Sequence, residues 1–166
     1  MKNVLDENLS EDMQKALRQG TIVPRVSIVF LCHDGEGRFL LHKRSQNCRD
    51  ERGVWDCGGG GLDFGKTVQE TLRDEVREEW GTDVFETELL GYRDVFRENT
   101  GEPTHWLALD WKVRVDPAQV RNAEPEKFEE IGWFRFDNLP TPLHSQLMLL
   151  FRNNKEKLKE FGELPE

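Results

Sequence analysis

Cysteine is scarce in this chain of 166 residues: only Cys32, Cys48 and Cys57, an odd number with no CxxC spacing. That excludes a disulfide framework or a cysteine-rich zinc site and fits a reducing compartment, so a cytoplasmic protein is expected. Long apolar runs are missing as well. None nears the roughly 18 residues that a membrane-spanning helix needs, so no membrane partner is expected. The first residues, MKNVLDENLSEDMQKALRQG, have no apolar centre and do not read as a secretory signal. Basic charge is short too, with 23 Lys and Arg against 32 Asp and Glu, a net charge of −9. A long nucleic acid needs a basic surface and is not the expected partner. A small phosphate substrate carried with a metal cation stays open. There is no internal repeat, low-complexity tract or Pro/Ser-rich linker, and the length suits one domain.

What is there reads as alternating strands and helices. Ser10 to Gly20 has the pattern of a short amphipathic helix, with Ser10 as N-cap and Gly20 as stop. Val26 to Cys32 is apolar and β-branched, the mark of a strand buried on both faces. Arg38 to Arg44 returns as a second strand after the Asp34–Gly37 turn, and Ser45 to Arg52 is a polar loop. Val54 to Gly61 predicts a short strand running into four glycines. Thr67 to Trp80 has helical spacing, with Val68, Leu72 and Val76 as its buried stripe and Gly81 as its end. Strands are expected around Leu89 to Arg97, Trp106 to Val115 and Ile131 to Phe136, and a last helix over Leu143 to Phe161. This order is that of an α+β or layered α/β domain.

The helix at 67–80 carries the chemistry. At about 100° per residue, Glu75, Glu78 and Glu79 fall within an arc of roughly 100°. Each like-charged pair at that spacing costs about 0.2–0.5 kcal/mol, and the helix C-terminus prefers cations. A solvated acidic face, eased by Glu70–Arg73 and Asp74–Arg77 pairs, is one reading. The four glycines Gly58–Gly61 just before the helix support another. They suit a backbone that must come close to something, and carboxylate and carbonyl oxygens together are the ligands of a hard divalent cation. A flexible turn is the alternative for the glycines.

Residues 60–82 read Gly-x5-Lys-x7-Asp-Glu-Val-x-Glu-Glu-x-Gly-Thr. This resembles the Nudix hydrolase signature, Gly-x5-Glu-x7-Arg-Glu-aliphatic-x-Glu-Glu-x-Gly-aliphatic. Trp55-Asp56 upstream, and Trp133-Phe134 with Leu139-Pro140 downstream, are similar to the flanks of MutT-like members. The resemblance implies an α/β/α sandwich with a mixed central sheet over residues 22–166, preceded by a helical extension over residues 1–21. It implies Mg²⁺, replaceable by Mn²⁺, held by Glu75, Glu78, Glu79 and a glycine carbonyl, Gly59 or Gly60. Two positions depart. The signature's first Glu is Lys66 and its Arg is Asp74, so both have changed sign. Either the pair is reversed and still attracts, or the two positions drifted independently.

The resemblance also directs attention to Arg44 and Arg52, whose guanidinium groups would meet phosphate oxygens bidentately, unless they are surface charge. Glu126, in the acidic stretch Glu124-Pro125-Glu126-Lys127, would join Glu78 and Glu79 as a catalytic carboxylate if that loop does not merely sit in solvent. Trp106 and Trp111 are five positions apart, so on one strand they face opposite sides. His33, His42, His105 and His144 show no metal-ligand spacing and read as ordinary. Cys57 raises isopentenyl-diphosphate isomerases, which share the fold and use a cysteine near this point, although the His-Pro expected after it is Gly59-Gly60. The reading is a Mg²⁺-dependent pyrophosphohydrolase acting on a nucleoside diphosphate linked to a further group, triphosphates ahead of nucleotide sugars and ADP-ribose. The rival class is a Nudix domain that binds a nucleotide without cleaving it. The oligomeric state is left open, a homodimer included.

Overall fold

The computed structural model describes residues 10–19, 23–99 and 102–165. Strand β1, Arg25–His33, is the axis of the fold, as its apolar run predicts. Ile28, Phe30 and Cys32 point to one face and Leu31 to the other, and all are almost fully buried. Its parallel neighbour is β6, Glu102–Val115, which pairs in turn with the antiparallel β5, Val84–Asn99. On the other side β1 meets β2, Phe39–Arg44, at its end and β4, Gly58–Gly61, along its first half. The two-residue β3, Trp55–Asp56, and β7, Phe128–Phe134, both pair with β2 and complete a seven-stranded mixed sheet.

Each face of the sheet carries a core. Helix α2, Val68–Trp80, lays Leu72, Val76 and Trp80 over Ile28, Phe30 and Cys32. On the opposite face α3, Leu147–Asn153, and a following 3₁₀ segment bury Leu150, Phe151, Leu158 and Phe161 against Leu31, Phe39 and Leu41. The chain is therefore α/β with a mixed sheet between helical layers. Among the described residues no helix is long and apolar enough to cross a membrane. Of the expected extension over 1–21, helix α1, Glu11–Arg18, falls within the described residues, with Ser10 Oγ accepting from the Met13 N–H. Its expected stop, Gly20, lies outside them.

Three expectations need correction. The glycine run is neither turn nor loop: Gly58 to Gly61 form a strand, in register with Phe30 to Ser27. Residues 84–88, expected to precede the fifth strand, belong to it, because their ladder with β6 runs on through bulges. The helix expected from Leu143 begins only at Leu147 and gives way at Asn154 to the 3₁₀ segment. Residues 142–144 are taken by Trp55, whose N–H donates to the Pro142 carbonyl and whose carbonyl accepts from His144. At the far end the buried Asn154 amide donates to the Leu150 carbonyl at 2.9 Å, a side-chain bond to the helix's own last turn.

Candidate active site

Helix α2 is fixed at both ends. Thr67 caps its start in a reciprocal capping box with Glu70, and Gly81, at φ 62°, closes it with an N–H to the Arg77 carbonyl. With Leu72, Val76 and Trp80 in the core, the acidic arc is turned onto β4. Glu79 is only 5% exposed; its Oε1 accepts from the Gly59 N–H at 3.3 Å, and its Oε2 is buried with no partner among the described residues. Glu75 is half-buried and Glu78 exposed. Burial pushes the Glu79 carboxyl well above its ordinary range, and burial with the neighbouring Glu78 and Asp63 raises Glu75.

The four glycines explain how the carboxylates come so close. A Cβ on Gly60 would overlap the Glu75 carboxylate, and one on Gly58 would run into the Phe30 ring and stand 2.5 Å from Glu79 Oε2. Gly60 admits no side chain because the Glu75 carboxylate occupies the space, and Gly58 admits none because the Phe30 ring and Glu79 do. The donor set is hard oxygen, crowded and partly unpartnered, which fits Mg²⁺. Among the described residues no three acidic, imidazole or thiol groups already converge as a closed cage. Mg²⁺ usually takes only one or two carboxylates and fills its shell with waters and substrate phosphates, so an open cluster suits it.

The cluster opens into a cleft of about 600 Å³ that passes over the sheet to α3. Its floor is a row in register across four strands: Gly61 on β4, Ser27 on β1, Ala108 on β6 and Arg93 on β5. At the far end Arg93 donates two hydrogen bonds to the fully buried Asp110, from Nε at 2.7 Å and from Nη2 at 2.8 Å. The side of the cleft is an ionic web. Arg97 donates to Asp50 at 2.8 Å and to Glu51 at 3.3 Å, and His144 stands 3.1 Å from Glu51. His144 Nδ1 accepts from the Gln146 N–H, and burial lowers the His144 pKa.

The residues expected from sequence divide accordingly. Glu75, Glu78, Glu79 and Gly60 are brought together at the cleft. Arg44 lines it but donates to the Asp50 carboxylate and to the Asp50 and Glu51 carbonyls, so it braces the 45–54 loop. Arg52 does not line the cleft; its Nε donates to the Cys48 carbonyl. Glu126 is exposed, and it is its backbone carbonyl that is used, by Ser45 and Asn47. In the same loop Glu124 is paired to the cleft residue Lys127 at 2.6 Å, and its charge adds to the burial that raises Glu75 and Glu79. Lys66 and Asp74 stand 3.0 Å apart, so the sign-reversed pair is formed. Cys57 is buried and its thiol is pushed up by burial, which keeps it from acting as a thiolate. Trp106 faces the cleft while Trp111 is in the core, on opposite sides as their spacing requires.

Sequence reading missed Arg93, Arg97, Asp110, Gln146 and the two cleft histidines, His42 and His144. Arg93, Val95 and Arg97 alternate with more exposed neighbours along β5, a period-two signal that was there to be read. Nothing local marks Gln146 or Asp110, which meet Arg93 from distant segments.

Comparison with known proteins agrees with this geometry. A sequence model of the NUDIX domain matches residues 23–153. A nucleoside triphosphatase, NudI, of Escherichia coli is 37% identical over 135 residues, covering 74% of this chain and 86% of that protein. An RNA pyrophosphohydrolase of Gluconacetobacter diazotrophicus is 24% identical over 134 residues, covering 70% and 80% of the two chains. The crystal structure of a MutT NUDIX hydrolase from Burkholderia pseudomallei superposes with a TM-score of 0.69 at 30% identity, covering 79% of this chain and 98% of that one.

Proposed function

Since the chain belongs to the NUDIX family and is a pyrophosphohydrolase of that kind, we propose that it cleaves a nucleoside diphosphate linked to a further group, with Mg²⁺, nucleoside triphosphates first. The observation that carries the proposal is the pair Glu75 and Glu79 pressed onto the glycine strand, with Glu79 Oε2 buried and unpartnered. A repulsive, desolvated cluster of this kind costs stability and is retained where a cation compensates it. Glu75, Glu78, Glu79 and the Gly60 carbonyl are the groups to hold the metal, which supplies charge neutralisation of the diphosphate and a lowered pKa for the attacking water.

The chain's own residues do the rest. Gly59 orients Glu79 through its N–H, and Val76 and Trp80 anchor the helix in the core so that Glu79 stays buried against the glycine strand. Glu78 is exposed at the cleft and is the carboxylate free to take the water's proton. Lys127, whose charge favours ionised Glu75 and Glu79, is placed to meet a phosphate oxygen. The nucleoside then lies along the small-residue floor toward Arg93. The relatives are named for a nucleoside triphosphate and for RNA, and a nucleoside triphosphate presents such a diphosphate. The net charge of −9 favours the small substrate.

A non-catalytic binding domain was the reading that Lys66 and Asp74 favoured. Their 3.0 Å contact removes most of its support, since the attraction is kept with its sign reversed. The test is a panel of nucleoside triphosphates, nucleotide sugars and ADP-ribose with Mg²⁺ and with Mn²⁺, scored by product identity. A nucleoside monophosphate as product supports the proposal. Binding without turnover of any member with either metal overturns it.

A further inference from the structure

Gln146 stands at the end of the cleft away from the carboxylates, and its side-chain amide is held in one orientation. Arg93 is spent on Asp110 through Nε and Nη2, and its Nη1 turns to Gln146, 3.1 Å from Oε1 and 3.4 Å from the backbone carbonyl. A guanidinium has only donors, so the amide atom facing it must be the oxygen. The NH₂ group is thereby turned away from Arg93. Among the described residues no acceptor takes its hydrogens, and Gln146 lines the cleft.

The position suits the base of a nucleotide. Arg93, Ala108, Ser27 and Gly61 form one row across the sheet. Arg93 is thus three strand spacings, about 14 Å, from the glycine strand. Ser27 and Ala108 leave the trough between them open, and Val95 and Trp106, one row further along, give it an apolar side. The oxygens at this end already face a cation: both Asp110 oxygens and both Gln146 oxygens accept from Arg93. The hydrogens there that have no acceptor among the described residues are those of the Gln146 NH₂ and one N–H on Arg93 Nη2.

We propose that Gln146 is a specificity-determining residue that donates its amide hydrogens to a carbonyl of the base, so that the cleft selects keto-bearing bases over those presenting an amino group. This deepens the nucleotide reading above and rests on it. An amino group at that edge would set N–H against N–H and leave the donors unpaired, the kind of mismatch by which hydrogen-bonding sites reject near-isosteres.

The test compares matched pairs, GTP with ATP and UTP with CTP, in the full chain with Mg²⁺. Two readouts are taken: kcat/KM for the triphosphates, and calorimetric Kd for their α,β-methylene analogues, which needs no turnover. Wild type is expected to favour the keto member of each pair by about tenfold or more. Gln146→Glu keeps an oxygen toward Arg93 and replaces the NH₂ by an acceptor. It lowers affinity for every polyanion, but the keto-to-amino ratio should collapse toward one or invert. Gln146→Met, which has neither donor nor acceptor, should bring the ratio near one, and it decides the matter should the glutamate variant not fold. A wild type without keto preference, analogues that fail to bind, or an unchanged ratio in the variants overturns the proposal. Absent hydrolysis with a Kd ratio that still collapses would sink the pyrophosphohydrolase reading and leave base selection standing. Hydrolysis with an unchanged ratio does the reverse.

Discussion

Replacing His42 by phenylalanine should make the protein resist acid. His42 is 2% exposed on β2, stacked on Phe128 at 3.8 Å and tilted against Trp80 at 5.5 Å, and neither ring nitrogen has a partner among the described residues. Burial, with the nearby Arg44 charge and His144 whenever it is protonated, lowers its pKa from 6.5 to about 3. The folded chain therefore refuses a proton that the unfolded chain accepts. The sign follows: above pH 6.5 neither state is protonated and His42 has no pH-dependent effect. As pH falls through 6.5 the unfolded state gains protons and stability drops, and the loss stops growing near pH 3. Between 6.5 and pH 5, at about 1.4 kcal/mol per pH unit, it comes to about 2 kcal/mol. Phenylalanine keeps the stack and cannot titrate. In urea unfolding followed by tryptophan fluorescence, the stability of His42→Phe relative to wild type should rise by about 2 kcal/mol between pH 8 and pH 5. The other titrating groups are common to both proteins and cancel. At pH 8 the variant is expected to be level or more stable by about 1–3 kcal/mol, since two unpartnered buried nitrogens are lost. A difference that stays constant within about 0.5 kcal/mol from pH 8 to pH 5 would refute the reasoning, because it would mean His42 titrates alike in both states.

Glu79→Gln should lose most turnover while melting at or above the wild-type temperature, because it removes a buried, repelled charge and keeps an oxygen for the Gly59 N–H; wild-type turnover would show that Glu79 has no part in the metal cluster. Gly60→Ala should cut turnover at least tenfold by displacing Glu75, with a stability cost of about 1–3 kcal/mol, whereas at Gly61 an added Cβ meets nothing within 4 Å and the alanine variant should melt as wild type does; equal activity of the two variants would count against the cradle. For Lys66 and Asp74, each single reversal, Lys66→Glu or Asp74→Arg, should lower activity or melting temperature, and the double reversal should recover much of the loss. Strict additivity in that double-mutant cycle would mean the 3.0 Å contact is not energetically coupled in solution.

The sequence by itself determined the sheet's central strand, the acidic helix over Val68–Trp80 and the identity of its carboxylate cluster. These are local properties. The apolar run of β1 has nowhere to go but between two layers, and Thr67, Glu70 and Gly81 stop the helix with their own hydrogen bonds. The spacing of Glu75, Glu78 and Glu79 is fixed by helical geometry before any tertiary contact forms. Tertiary structure decided where those carboxylates are aimed and what else stands around them. Gly58–Gly61 left a close-approaching loop and a flexible turn both open, because glycine has no strand preference; only pairing with β1, and the need to admit Glu75 and Glu79 against bare backbone, makes them a strand. Arg44 looked like a phosphate ligand, yet the 45–54 loop folds back and uses its guanidinium. Glu126 and Glu124 are indistinguishable in a string of acidic residues, and only the folded loop pairs Glu124 with the cleft residue Lys127 while leaving Glu126 exposed. The far end of the cleft was the least legible part. Arg93, Asp110 and Gln146 are separated by 17 and 36 positions along the chain, and only the register of β5 on β6 and the late start of α3 bring them into contact. Hydrogen bonds over such separations leave no periodic trace, so they become visible only once the chain has folded.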